Sequence, residues 1–124
     1  MTNERIYQKI YDQIKGFLPA NWTRVIVYLE YGIDSYSVSF YVRIGDRFIK
    51  CYDLPGIDEE ELINAFRQID KTVLGEREKT NGDPWSNMTM IIEKDGRMHA
   101  DYDYTDLQSD AYNYSKAWKL KYIK

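Results

Sequence analysis

One stretch of the sequence brings together side chains that could do chemistry: His99, Asp101 and Asp103, with Asp106 close behind. His99 is the only histidine of the chain, and the first three residues alternate along a segment with the pattern of a β-strand. Side chains at positions i and i+2 of a strand project from the same face, so the imidazole and the carboxylates would lie side by side. Such a set could hold a hard metal ion or act as a general acid and base.

The same residues have a simpler interpretation, which we favour. Alternating polar residues are typical of the solvent-facing or partner-facing side of an antiparallel strand, and catalytic sets usually combine distant segments. The sequence contains no phosphate-binding glycine loop and no recognised hydrolase or redox motif, and one His and one Cys leave most nucleophile-and-base mechanisms incomplete. We therefore predict no catalytic residue, no cofactor and no metal. A metal-dependent enzyme that uses His99, Asp101 and Asp103 is the alternative.

The aspartates belong to a β-hairpin whose register follows from its two strands. A loop of Lys94, Asp95 and Gly96, with Gly96 in the left-handed conformation of a bulge, sorts apolar and polar residues onto separate faces. It sets these apolar pairs across the hairpin: Ile92 with Met98, Met90 with Ala100, and Met88 with Tyr102. Tyr104 falls on the same inward face, whereas Glu93, Asp101 and Asp103 fall on the other. A slip by one residue would exchange the faces, so burial of the apolar set should fix the register.

Hydrophobic periodicity predicts the remaining elements. In chain order they are a helix over 3–18, strands over 22–31, 36–44 and 47–52, a helix over 58–78, the hairpin, and a last helix from about residue 107. Asp58 before Glu59, Glu60 and Glu61 forms a helix N-cap with acids in the first turn, so this acidic cluster has a structural explanation.

Short turns between consecutive strands require antiparallel pairing. We therefore predict an α+β fold, one domain over residues 1–124, with helices packed on an antiparallel sheet of about five strands, in the order α-βββ-α-ββ-α. One face of the first strands carries Tyr28, Tyr41, Phe48 and Tyr52, which is too apolar to be left in water. The sequence does not say whether a helix or a partner covers this face, or whether the protein is a monomer or a dimer.

The composition restricts the class of protein and of partner. Hydrophobic residues at 44% and aromatic residues at 15% are typical of a globular domain, and a single cysteine excludes an intramolecular disulfide. A net charge of −3 argues against direct nucleic-acid binding and would suit a basic protein partner. No apolar run approaches the ~20 residues of a membrane span, and the N-terminus lacks a signal-peptide pattern, so we expect a cytoplasmic protein without membrane contact.

Four short motifs, taken in order, are similar to a known family. They are Leu-Pro-Ala-Asn-Trp at 18–22, Pro-Trp-Ser-Asn-Met-Thr at 84–89, Asp-Tyr-Asp-Tyr at 101–104 and Trp-Lys-Leu-Lys-Tyr at 118–122. Together they resemble the YezG-like family of bacterial immunity proteins, which are antitoxins to LXG-type polymorphic toxins. The resemblance spans nearly the whole chain.

The resemblance implies a small cytoplasmic protein of a Gram-positive bacterium, encoded beside a secreted toxin whose C-terminal domain, often a nuclease, it binds and neutralises. The resemblance implies no catalytic residues. We predict that the toxin-facing surface includes Trp85, Glu93, Asp101, Asp103 and Asp106, because carboxylates on a face that the core does not require would attract a basic toxin domain. An interaction adaptor without a toxin is the remaining alternative, and the toxin's identity and the mode of inhibition stay open.

Overall fold

The computed structural model of the chain describes residues 3–32, 35–78, 85–104 and 107–123. The elements are α1 (Asn3–Ile14), β1 (Arg24–Gly32), β2 (Ser35–Ile44), β3 (Arg47–Lys50), α2 (Glu59–Glu78), β4 (Asn87–Glu93), β5 (Met98–Asp103) and α3 (Leu107–Tyr122), with short 3-10 turns at Lys15–Phe17 and Cys51–Asp53. The predicted α+β class and element order are confirmed.

The five strands form one antiparallel sheet in the order β3-β2-β1-β4-β5. The two hairpins join through the antiparallel pairing of β1 with β4. The predicted register of the second hairpin is confirmed, since Met90 lies opposite Ala100 and Met88 opposite Tyr102. Gly96 has a φ of 98°, the left-handed conformation that its loop position requires.

Helices cover both faces of the sheet. On one face α1 and α2 pack over a core that includes Ile10, Phe40 and Met90, all fully buried. On the other face Trp118 of α3 packs in a second apolar cluster with Ile26, Tyr28 and Tyr41. A helix of the chain itself therefore covers the face whose covering the sequence left open.

Three local expectations were wrong. The first α-helix ends at Ile14 and continues only as a 3-10 turn to Phe17, short of residue 18. The third strand ends at Lys50, so Tyr52 lies in the following 3-10 turn and contacts Phe66 of α2, at 6.5 Å between ring centroids. Tyr104 lies beyond the end of β5 and is 63% exposed, so it is not part of the core.

The start of α2 follows the predicted cap. The Asp58 Oδ1 atom accepts hydrogen bonds from the backbone N–H groups of Glu60 and Glu61, at 2.9 and 3.2 Å. No helix in the described ranges is long and apolar enough to cross a membrane.

Candidate functional site

The aspartates of β5 lie in two rows of side chains that cross the sheet beneath α3. One row contains Asp101, Thr89 and Tyr28, and the next contains Asp103, Asn87 and Glu30. Cross-strand neighbours on one face of an antiparallel pair are close enough to interact directly. The rows therefore place three carboxylates among tyrosine, threonine and asparagine side chains, on the face that α3 covers.

Helix α3 contacts both rows through one of its sides. Tyr114, Trp118 and Tyr122 follow one another at intervals of four residues, which places them on the same side of the helix. The Tyr122 hydroxyl donates to Asp101 Oδ2 at 2.7 Å, and the Tyr114 hydroxyl donates to Asp103 Oδ2 at 2.9 Å. Both aspartates therefore help to hold α3 on the sheet.

The centre of this contact is a buried polar network. Trp118 Nε1 donates to Thr89 Oγ1 at 2.7 Å, and the Thr89 hydroxyl donates to Asn87 Oδ1 at 3.1 Å. Asn87 in turn donates through Nδ2 to the carbonyl of Leu29 at 2.9 Å. Buried polar groups are costly unless they are hydrogen-bonded, and this chain of bonds satisfies them. The Trp118 ring also packs edge-on against Tyr28, at 4.7 Å between centroids.

The tyrosine hydroxyls remain protonated donors over a wide pH range. Burial raises the pKa of Tyr114, and the adjacent Asp103 carboxylate raises it further by accepting its hydrogen bond. Burial and the Asp101 carboxylate likewise raise the pKa of Tyr122 to about 12. Burial also raises the pKa of Tyr28, with a further contribution from its hydrogen bond to the Glu30 carboxylate.

The predicted toxin-facing residues are not equally accessible. Asp101 is exposed and Asp103 is half-buried. Glu93 forms a bidentate ion pair with Arg24, at 2.8 and 3.0 Å. Trp85 is only 7% exposed and packs on the opposite face of the sheet against the rings of Tyr31 and Tyr102, at 5.5 and 5.7 Å.

The fifth predicted residue, Asp106, lies outside the described residues. His99 is exposed on the same face of β5 as the aspartates. Across the described ranges, no three His, Cys, Asp or Glu side chains are grouped so that they could hold a metal ion.

A cleft beside β5 was not predicted. It has a volume of about 220 Å³ and is lined by Tyr7 and Gln8 of α1 together with Gly96 and Met98. The hydroxyls of Tyr7 and Tyr102, at 3.0 Å from each other, join α1 to β5 beside it. Residues at the two ends of this contact are 95 positions apart, so no local spacing in the sequence could have revealed it.

Comparison with known proteins identifies the family. The model of the family described as "Immunity protein YezG-like" matches residues 3–124. Immunity protein YezG of Bacillus subtilis (strain 168) is 26% identical over 127 residues, covering 94% of this chain and 84% of the relative. Immunity protein YezG of Bacillus spizizenii is 29% identical over 119 residues, covering 90% and 74%. The chain therefore belongs to the YezG-like family of immunity proteins.

Proposed function

We propose that this chain is the immunity partner of a secreted LXG-type polymorphic toxin and acts in the cytoplasm of the producing cell. It binds the toxin's C-terminal domain, a basic nuclease, and thereby neutralises it. The observation that carries this proposal is the family match over residues 3–124. Binding needs no catalytic set, only a stable surface complementary to the target, so we assign no enzymatic role.

The proposed contact surface is the outer part of β5, with Asp101 at its centre. Asp101 keeps its negative charge exposed while one of its oxygens accepts the hydrogen bond from Tyr122. A nuclease domain that binds phosphates carries a positive cleft, and exposed carboxylates favour association with such a cleft. Asp103 and Asp106 add to the negative charge in this proposal, and Glu93 contributes through its ion pair with Arg24. Trp85 supports β5 from the core.

Co-expression with the neighbouring toxin tests the function. The C-terminal domain encoded by the adjacent long reading frame is expressed in a bacterial host with and without this chain. We expect that domain alone to stop growth, this chain to restore growth, and the two proteins to purify together. Growth arrest that this chain does not relieve would overturn the immunity proposal and favour the adaptor alternative.

Charge-neutralising substitutions test the surface. Asp101→Asn and Asp103→Asn keep a side-chain oxygen that can accept from the α3 tyrosines but remove the negative charge. We expect each substitution to weaken toxin binding by roughly fivefold to tenfold, as for a charge at the rim of an interface. Tyr122→Phe and Tyr114→Phe are the matched controls, because they remove the same hydrogen bonds and leave the carboxylates charged. Loss of affinity in the Phe variants without loss in the Asn variants would mean that the aspartates act only by holding α3.

A further inference from the structure

Strand β5 leaves one edge of the sheet open. It is the last strand in the order, and in the part of the chain that the structure describes no strand pairs with its outer side. The carbonyls of Arg97 and Asp103 accept from the N–H groups of Glu93 and Ser86, at 2.9 and 2.8 Å, so these odd-numbered residues point their backbone groups toward β4.

Backbone groups of successive residues point to opposite sides of a strand. Met98, Ala100 and Tyr102 therefore direct their N–H and C=O groups away from the sheet. An edge of this kind is a template for one more strand.

The two faces beside this edge offer different environments. On the α1 side lies the cleft lined by Tyr7, Gln8, Gly96 and Met98. On the α3 side lie the exposed side chains of His99 and Asp101. A strand added to β5 would direct alternate side chains toward the cleft and toward the Asp101 carboxylate.

We propose that the toxin domain presents an extended segment that pairs with β5 as a sixth strand. Main-chain hydrogen bonds to Met98, Ala100 and Tyr102 supply affinity, and alternate side chains supply specificity. The segment carries an apolar side chain that enters the cleft and a Lys or Arg that lies beside Asp101. This inference rests on the proposed function and adds to it the binding mode.

Charge complementarity selects the occupant. Asp101 and Asp103 place negative charge along β5, which attracts a basic segment. A second copy of this chain, with its net charge of −3, would instead bring its own acids to the same edge.

The other edge of the sheet provides a comparison within the molecule. Strand β3 pairs with β2 only over Tyr41–Ile44, so residues 36–40 also have no strand on their outer side among the described residues.

The open part of β2 has different chemistry from that of β5. Its exposed side chains include Tyr36 and Ser37, and no residue from 36 to 40 carries a charge. The backbone of odd-numbered Tyr31 points toward β4, because its N–H donates to the Ser86 carbonyl at 2.8 Å. Even-numbered β1 residues therefore face β2 and pair there with Ser37 and Ser39, which leaves Tyr36 and Val38 pointing outward.

Residue-resolved amide hydrogen exchange tests the proposal on the unchanged chain. The free protein is compared with its complex with the adjacent toxin domain, obtained by co-expression. We expect the amides of Met98, Ala100 and Tyr102 to exchange at least about tenfold more slowly in the complex, because they gain hydrogen bonds. The amides of Tyr36 and Val38 should be unaffected.

The other outcomes are distinct. A complex that protects Tyr36 and Val38, or neither edge, overturns the sixth-strand proposal and leaves the immunity function intact. Failure to form any complex or to restore growth overturns both. Protection of the β5 amides in the free protein that increases with its own concentration identifies a second copy as the occupant and overturns the toxin segment.

A pair of substitutions at Ala100 isolates the main-chain hydrogen bond. Ala100→Pro removes an N–H that points away from β4, so the ladder within the sheet is retained. Ala100→Val introduces a side chain of a size comparable to that of proline and keeps the N–H. We expect the proline variant to bind the toxin domain roughly a hundredfold more weakly than the valine variant, with both variants folded as judged by tryptophan fluorescence. Equal binding by two folded variants would contradict pairing at this residue.

Discussion

Thr89 is the residue through which the sheet holds the helix that covers it. Its hydroxyl accepts from Trp118 Nε1 and donates to Asn87, and its side chain is 1% exposed. Thr89→Val keeps the shape of the side chain but leaves the indole N–H and the Asn87 carbonyl oxygen without this partner. We expect the free energy of unfolding in urea to fall by about 1–3 kcal/mol.

Thr89→Ser is the control for this prediction because it keeps the hydroxyl and removes only a methyl group. It should cost less than the valine variant. If valine is tolerated as well as serine, the buried hydrogen bond between Trp118 and Thr89 contributes little to stability.

Cys51 is protected by its position in the core. Its side chain is fully buried, and burial raises the pKa of its thiol. The thiolate is the reactive form, so both effects slow modification. We expect a thiol reagent at neutral pH to label Cys51 only as the protein unfolds, at the rate of unfolding measured by Trp fluorescence. Rapid stoichiometric labelling of the native protein would show that this region opens without global unfolding.

Helix α3 is held on the sheet by bonds that fail at high pH. Deprotonated Tyr114 and Tyr122 would each place a second negative charge against an aspartate. The folded pKa of Tyr122 is about 12, above the ~10 of an unfolded tyrosine. Its contribution to stability is therefore complete below pH ~10 and is lost as the pH rises through about 12.

We expect α3 to detach in this alkaline range, with a red shift of the total tryptophan fluorescence as the Trp118 ring enters water. In the double variant Tyr114→Phe and Tyr122→Phe the pH of this transition should change, because the two hydroxyls that titrate are absent. Any remaining transition then depends on other titrating groups. A transition at the same pH in the double variant would assign the alkaline change to another part of the molecule.

The second hairpin was predictable from sequence because two independent constraints agree. The three-residue loop with Gly96 and the separation of apolar from charged residues both require Met90 opposite Ala100, which the structure confirms. Local periodicity also located α2, where Asp58 caps the helix. Such features depend on neighbours in the chain, which is the information that a sequence pattern contains.

The position of α3 was not predictable in the same way. Periodicity identifies the apolar side of this helix, but not the face of the sheet on which it lies. The bonds from Tyr114 and Tyr122 to their aspartates span 11 and 21 residues of sequence. Once α3 is in place, Asp101 and Asp103 have a structural role that the alternation of β5 could not show. Tyr104 differs from the prediction for a simpler reason, since β5 ends one residue before it.

Groups of exposed charges of opposite sign lie on different elements of the molecule. Helix α3 carries the exposed lysines Lys116, Lys119 and Lys121. Exposed acids lie at the start of α2, at Glu59, Glu60 and Glu61, and at Asp101 on β5. A basic toxin domain that approaches at random is therefore repelled from α3 and attracted toward the acidic parts of the surface.

This division predicts how salt affects formation of the complex. The Debye length falls from ~10 Å at 0.1 M to ~3 Å at 1 M ionic strength, which screens long-range attraction but leaves short contacts largely intact. We expect the association rate constant, measured by stopped flow, to fall roughly tenfold or more between 0.05 and 0.5 M salt, with a much smaller change in the dissociation rate. Asp101→Asn should reduce this salt dependence, because it removes a charge that attracts the toxin.

The lysines of α3 provide the matched control. Lys116→Gln and Lys121→Gln remove charges from exposed positions on the helix that covers the sheet and should leave the association rate unchanged or raise it, since repulsion of a basic partner is reduced. Slower association in these variants would mean that the toxin approaches the lysines of α3 instead. The partner would then be acidic, and β5 could not be its docking edge, because the carboxylates of Asp101 and Asp103 would repel it.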